Sequence, residues 1–284
     1  MKILNSKTYM MLLVTSAFLV GCGTADNGTA TATTGATSTT SNTAPGVTAI
    51  ASGPAGSIVL GTGTKIVEVS TTQYSLPMSV QVVDSYGAAV ANSVVNLSVW
   101  PKFYKFGRWY PQNASQSPNA DCIPVAFPVA GSTVVPNEDI NKNLVLDLGE
   151  NIAQTVTSIV LDSYGSPTRD PATGKIVLGP PFLAPANDGI LTPYSASAGT
   201  FVQDASLQPI QSVITDASGT ANFSLLYLKA YAPWIVAELK ATTPVIGTQT
   251  TAVINLTLKY LKSESTNCSL RNSFGGSPFN DPSW

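Results

Sequence analysis

The stretch "TANFSLLYL" (Thr220–Leu228) alternates, placing Ala221, Phe223, Leu225 and Tyr227 on one side and the residues between them on the other. A period of two is that of an extended strand, and an apolar strand face is stable only when a second layer covers it. The stretch "VINLTLKY" (253–260) alternates likewise, while "PMSVQVVD" (77–84), "NSVVNLSVW" (92–100) and "WIVAELKATTPV" (234–245) are rich in β-branched residues. Glycine, asparagine, aspartate and proline punctuate these runs as turns do. Beyond the N-terminal segment, nothing has the 3.6-residue periodicity of a long amphipathic helix. The expected fold class is therefore all-β.

The strands fall into two blocks. Residues 56–100 and 200–262 together hold roughly 105 residues, the size of one immunoglobulin-type sandwich. The expectation is one sandwich over 56–262, interrupted by a long loop-rich insertion at about 101–199. "LPMSVQVVDSYGAAVANSVVNLSV" followed far downstream by "ITDASGTANFSLLYLKAYAPWIVAELKATTPVIGT" resembles the group 1 bacterial Ig-like domains of invasin and intimin. The residues that carry the resemblance are Asp84 and Gly87, the "TDASGTA" turn at 215–221, and Trp234. It covers about a third of the chain. It implies an Ig-like β-sandwich with a structural and adhesive role, and makes Trp234 a core residue. The insertion departs from the family pattern, so no binding surface is carried over. Inside it, "TSIVLDSYGSP" (157–167) echoes "VQVVDSYGAAV" (80–90), which points to a second, incomplete β lobe.

The N-terminus bears on location. Lys2 and Lys7 precede an apolar run over residues 10–20 that is too short to cross a bilayer as a helix and has the length of a signal-peptide core. "LVGC" (19–22) closes it and resembles the lipobox of bacterial lipoproteins. That resemblance implies a signal peptide over 1–21, a lipid on Cys22 and attachment to the membrane through it. Gly23 in the next position resembles outer-membrane sorting. The alternative is an ordinary secretory signal with an accidental cysteine. Residues 22–55 are almost all Thr, Ala, Ser, Gly and Asn, with too little apolar surface to offset ordering entropy, and are expected to form a disordered tether.

Composition removes several functional classes. The chain contains no histidine, which excludes Ser/His/Asp and Cys/His nucleophile systems and His-bearing zinc sites. A net charge of −2 gives no basic face for nucleic acid. Carboxylate chemistry would need two acids across one cleft, and no pair outside the acidic loop described below suggests it. With Cys22 assigned to lipid, Cys122 and Cys268 remain. In an oxidising compartment these two are expected to pair, tying the C-terminal tail (263–284) to the insertion; two buried free thiols are the alternative.

Only 11% of the residues are charged, yet "NEDINKNLVLDLGEN" (137–151) holds Glu138, Asp139, Asp147 and Glu150 with one lysine. Counted from Asp139, the residues Asp139, Asn141 and Asn143 occupy positions 1, 3 and 5. Val145 offers its carbonyl at 7, Asp147 stands at 9 and Glu150 at 12. This is the oxygen-ligand spacing of an EF-hand calcium loop, without the flanking helices, and calcium is the expected cofactor. A solvated acidic turn without an ion is the alternative. Position 6, where the motif has glycine, is Leu144, and a positive φ there costs on the order of 1 kcal/mol. A partial second loop lies at "ANDGILTP" (186–193), but Ala184 and Ala186 stand where oxygen ligands are expected.

The run "WPKFYKFGRWY" (100–110) interleaves aromatic and basic residues, and Trp109 and Tyr110 are candidates for a ligand platform. The overall expectation is a non-enzymatic, lipid-anchored envelope protein, acting in adhesion or surface assembly through a protein or glycan partner. The alternatives are a carbohydrate-binding module that uses the aromatic run, and an accessory subunit of a filament or secretion complex.

Overall fold

The computed structural model describes residues 55–112, 121–150, 154–184, 191–204, 206–243, 249–266, 268 and 276–280. Strands β1 (Ala55–Thr62), β2 (Val67–Glu68), β3 (Gln73–Asp84), β4 (Val94–Tyr104), β5 (Gly107–Pro111), β6 (Cys122–Ala126) and β7 (Val135–Pro136) occupy the first half. β8 (Gln154–Ile159), β9 (Leu178–Ala184), β10 (Thr200–Val202), β11 (Ser212–Ile214), β12 (Thr220–Leu228), β13 (Ile235–Thr243) and β14 (Thr250–Thr257) follow. Among the described residues the helical elements spanning three residues or more are short 3₁₀ turns, and no helix is long and apolar enough to cross a membrane.

Two antiparallel sheets form the body. One runs β1-β3-β12-β10, with β2 also on β3; the other runs β11-β4-β13-β14, with β7 also on β4. The seven strands β1, β3, β4, β10, β12, β13 and β14 reproduce the ABED and CFG order of an immunoglobulin-type sandwich, and β11 is an added edge outside β4. Alternation puts Tyr74, Leu76, Met78, Val80 and Val82 of β3 against the core, with Phe223, Leu225 and Tyr227 of β12 beside them. Val95, Leu97, Ile235, Leu239 and Ala241 close it from the other sheet. Each fully buried side chain of this size contributes about 1.5–3 kcal/mol relative to exposure. Strand bounds differ from the sequence stretches: β3 starts at Gln73, β14 ends at Thr257, and β4 continues past Trp100 to Tyr104, pairing with Ile235 beyond a bulge at Lys102, so the insertion begins at 105 rather than about 101.

Strand polarity places the insertion. Ala55 pairs with Asp84 at one end of the sandwich, and β4 starts at that end, where Ser93 N donates to Thr215 Oγ1 at 2.9 Å. β4 leaves at the opposite end, so the insertion starts far from Ala55.

The "Asp-Ser-Tyr-Gly" echo has a local cause. Asp84 Oδ1 accepts from Tyr86 N and Ala88 N (2.8 and 2.9 Å), and Asp162 Oδ1 accepts from Tyr164 N and Ser166 N (2.9 and 2.8 Å). Asp216, in an unrelated context, does the same with Ser218 N and Thr220 N (2.8 and 3.0 Å). In each turn the third residue on is a glycine in the left-handed region, Gly87, Gly165 or Gly219, which the tight reversal requires. The echo is turn chemistry and needs no duplication. The insertion does carry its own sheet, β8 paired with β9, whose Val156 is fully buried in the main core.

Candidate functional site

The acidic loop grows out of β4. β7 pairs Val135 with Tyr104 and Pro136 with Phe103, and the ladder continues as Asn137 N donates to Lys102 O at 3.0 Å. Asn137 is a buried pin: its Nδ2 donates to Pro101 O at 2.7 Å, and its Oδ1 accepts from Asp139 N at 2.9 Å. Glu138 turns the other way, where its backbone N donates to Thr192 O and Thr192 N donates to its Oε2 at 2.9 Å. It is therefore separated from the oxygen set that follows.

Asp139 Oδ1 and Oδ2 accept from Asn143 N and Leu144 N at 3.1 and 3.0 Å. Asn141 Oδ1 accepts from Asn143 N, and Asn143 Oδ1 from Val145 N. Glu150 closes the ring from the far end: Oε1 accepts from Ile140 N at 3.0 Å and Oε2 from Asp147 N at 3.0 Å. The amides of Asn141 and Asn143 both donate to Asp147 Oδ2, at 2.7 and 2.8 Å. Leu144 sits at φ 63°, so the sixth position takes the left-handed conformation despite its Cβ, and Gly149 at φ 94° makes the last bend. Alternation thus turns the oxygens in and the aliphatics out: Ile140, Leu144, Val145 and Leu148 are all more than half exposed.

The charge distribution is unbalanced. Asp139 and Glu150 are 3% and 4% exposed, yet neither meets a basic side chain among the described residues. Lys142, the loop's single cation, points away and binds Glu238 at 3.2 Å while lying 5.5 Å over the Trp100 ring. Lys102 reaches the other oxygen of Glu238 at 2.8 Å. Hydrogen bonding from Lys102, outweighing partial burial and helped by Lys142, holds the Glu238 carboxyl below the ordinary glutamate range. Side-chain oxygens of Asp139, Asn141, Asn143 and Glu150 keep unused lone pairs and could hold a hard cation with the Val145 carbonyl. Among the described residues no three carboxylate, cysteine or histidine groups converge as a metal set.

Trp109 and Tyr110 do not form an open platform. They are 7% and 9% exposed, because β5 folds back over the end of the sandwich. Trp109 meets Trp234 and Tyr260 edge-on, at 6.1 and 4.8 Å between ring centres. Burial pushes the Tyr110 hydroxyl pKa up, against the pull of Arg108. Trp234 is 1% exposed, in a small cluster with Trp109 and Cys122. Here lies the Cys122–Cys268 disulfide, with Cα atoms 5.0 Å apart. The tail reinforces it: Ser277 N and Asn280 Nδ2 donate to Gly107 O (2.8 and 2.7 Å), and Asn280 Oδ1 accepts from Gly107 N.

A second polar centre has no motif. Lys229 Nζ, 5% exposed as a residue, bonds Glu68 Oε1 at 2.5 Å and Glu264 Oε1 at 2.6 Å and lies over the Tyr74 ring, whose hydroxyl also donates to Glu264. Burial depresses this lysine's pKa, but hydrogen bonds to Glu264 and Glu68 outweigh it and leave the pKa above the ordinary lysine value. Its members come from three distant segments, so spacing could not reveal it. Cys22 and the tether up to residue 54, and Asn187 and Asp188 of the partial second loop, lie outside the described residues, while Ala55, the last residue of the expected tether, begins β1. No protein-family model matches this chain, and no curated protein and no solved structure matches it either.

Proposed function

We propose that this is a non-enzymatic, lipid-anchored cell-envelope protein, held to the membrane through Cys22, whose Ig-like sandwich presents a calcium-stabilised insertion for adhesion or surface assembly. The carrying observation is the loop over 137–150. Two carboxylates nine-tenths buried, without a basic partner among the described residues, sit at the first and last positions of a calcium-loop spacing. Leu144 is left-handed at the position where the motif demands it, and Lys142, two residues before, is left-handed as well. A divalent cation would supply the missing positive charge, held by Asp139, Asn141, Asn143, Val145 and Glu150, with Asp147 at the ninth position. The proposed consequence is mechanical: the ion would fix a segment that Asn137, Lys142 and Glu238 tie to the outer face of β4 and β13.

The burial of Trp109 and Tyr110 weighs against a sugar platform on those rings and favours a protein partner. Limited proteolysis of the full-length protein with calcium and with chelator tests the ordering: calcium-dependent protection of the insertion is expected, and equal cleavage in both would count against it. Crosslinking in intact envelopes, followed by identification of stoichiometric partners, tests the assembly role; recovery of the chain with none would remove that part of the reading.

A further inference from the structure

The connection from β8 to β9 ends in a small hairpin whose tip holds a chemically weak bond. Arg169 bridges Ile176, Asp170 N donates to Lys175 O and Gly174 N donates to Asp170 O, the last two at 2.8 Å. The Arg169 guanidinium braces the turn by donating to Gly174 O at 2.9 Å. Residues 171–175 are exposed, and the first of them is proline.

The Asp170 carboxylate lies against its own peptide group. Its Oδ1 accepts from Ala172 N at 2.9 Å, Thr173 N at 2.8 Å and Thr173 Oγ1 at 3.1 Å, which carries the side chain past its own carbonyl carbon toward the residues that follow. Those bonds fall on Oδ1, and among the described residues Oδ2 meets no donor. Asp84, Asp162 and Asp216 make turns of the same kind, but Ser85, Ser163 and Ala217 follow them, so the next bond is a secondary amide. Pro171 makes it a tertiary amide, whose nitrogen leaves as a secondary amine.

We propose that the Asp170–Pro171 bond is a self-cleavage site, cut by the Asp170 carboxylate in mild acid. Oδ2 adds to the Asp170 carbonyl carbon and closes a five-membered ring, while Gly174 N–H stabilises the charge that develops on the carbonyl oxygen. The carbon–nitrogen bond then breaks, its electron pair stays on Pro171 N, and a solvent proton joins it there. Water opens the cyclic anhydride, leaving two carboxyl groups on Asp170 and a free amine on Pro171. One water is consumed, and no other reactant is needed. Hydrogen bonds from the Thr173 backbone, the Thr173 hydroxyl and Ala172 N hold the Asp170 carboxyl below the ordinary aspartate range, so the nucleophile stays ionised where protons reach the leaving nitrogen.

The two halves stay joined after the cut. β3 and β4 precede the bond, and β12 and β13, which pair with them, follow it. The Cys122–Cys268 disulfide also links the two sides.

The full-length protein held at about pH 5 and at about pH 7, then run on gels with and without reductant, tests this. Acid should yield two chains, one ending at Asp170 and one starting at Pro171, that separate only after reduction. Asp170→Asn and Pro171→Ala, both in this surface turn, should stay intact. The chain unfolded in urea at the same acid pH should be cut about tenfold more slowly, which separates the folded geometry from the ordinary acid sensitivity of an aspartyl-prolyl bond. An uncut wild-type chain overturns the proposal, as does cleavage that persists in Asp170→Asn or proceeds equally fast in urea.

Discussion

Replacing Leu144 by glycine separates backbone strain from side-chain packing in the acidic loop. Leu144 holds φ 63°, a conformation that costs a residue with a Cβ about 1–2 kcal/mol. Glycine removes that strain but enlarges the unfolded ensemble, which costs about 0.4–1 kcal/mol. Because the side chain is 61% exposed, truncating it forfeits well under the ~1.5–3 kcal/mol of a buried leucine. The net expectation is between no change and about 1 kcal/mol of stabilisation, whereas a core leucine truncated to alanine loses about 2–5 kcal/mol. Gly149→Ala is the matched opposite. At φ 94°, with nothing within 4 Å of the added Cβ, it should cost about 1 kcal/mol or more through the backbone alone. In thermal unfolding each kcal/mol reads as about 2–4 °C for a domain of this size. The reasoning is refuted if Leu144→Gly lowers the midpoint further than Gly149→Ala does.

Other perturbations probe the rest of the molecule. Lys229→Met should destabilise by about 1–3 kcal/mol, below the range for a fully buried pair because Glu68 is 49% and Glu264 22% exposed; a change under a few tenths in urea unfolding would contradict this. Since the folded pKa of Lys229 lies above its unfolded value of about 10.4, its contribution is full below that pH and fades as pH rises through the folded pKa. A stability profile in which Lys229→Met equals wild type already at neutral pH would show the ion pairs contribute nothing. Cys122→Ser opens a crosslink spanning 146 residues and should cost up to about 5 kcal/mol by chain-entropy arithmetic, measured by chemical unfolding without reductant. Trp109→Ala should lose about 3–5 kcal/mol of stability, so any loss of ligand binding in that variant must track unfolding rather than precede it.

Alternation in 220–228 and 253–260 revealed the strands, because each lies half in a core and the period of two survives in the residues themselves. The added edge β11 and the extension of β4 to Tyr104 were illegible. Three residues carry too little pattern, and the extension depends on a bulge at Lys102, after which β4 resumes its pairing with β13. In the acidic loop the inward oxygens follow the spacing from Asp139 to Glu150, since side-chain-to-backbone bonds there are local. Glu138 looked equivalent to its neighbours but is claimed by Thr192, 54 residues away, a contact that spacing does not encode. Trp109 and Tyr110 misled for a related reason: their basic neighbours suggested an open surface, while a long-range fold over Trp234 and Tyr260 buries them.

The most direct test of the proposed cation site is the unfolding midpoint of the full-length protein in calcium and in chelator, beside Asp139→Ala. Free calcium at a hundredfold excess over its dissociation constant adds about 2.7 kcal/mol, a rise of several degrees. The proposal predicts that rise in the wild type and its absence in Asp139→Ala. Equal midpoints of the wild type with and without calcium would contradict it and leave the loop an acidic turn held by its own backbone.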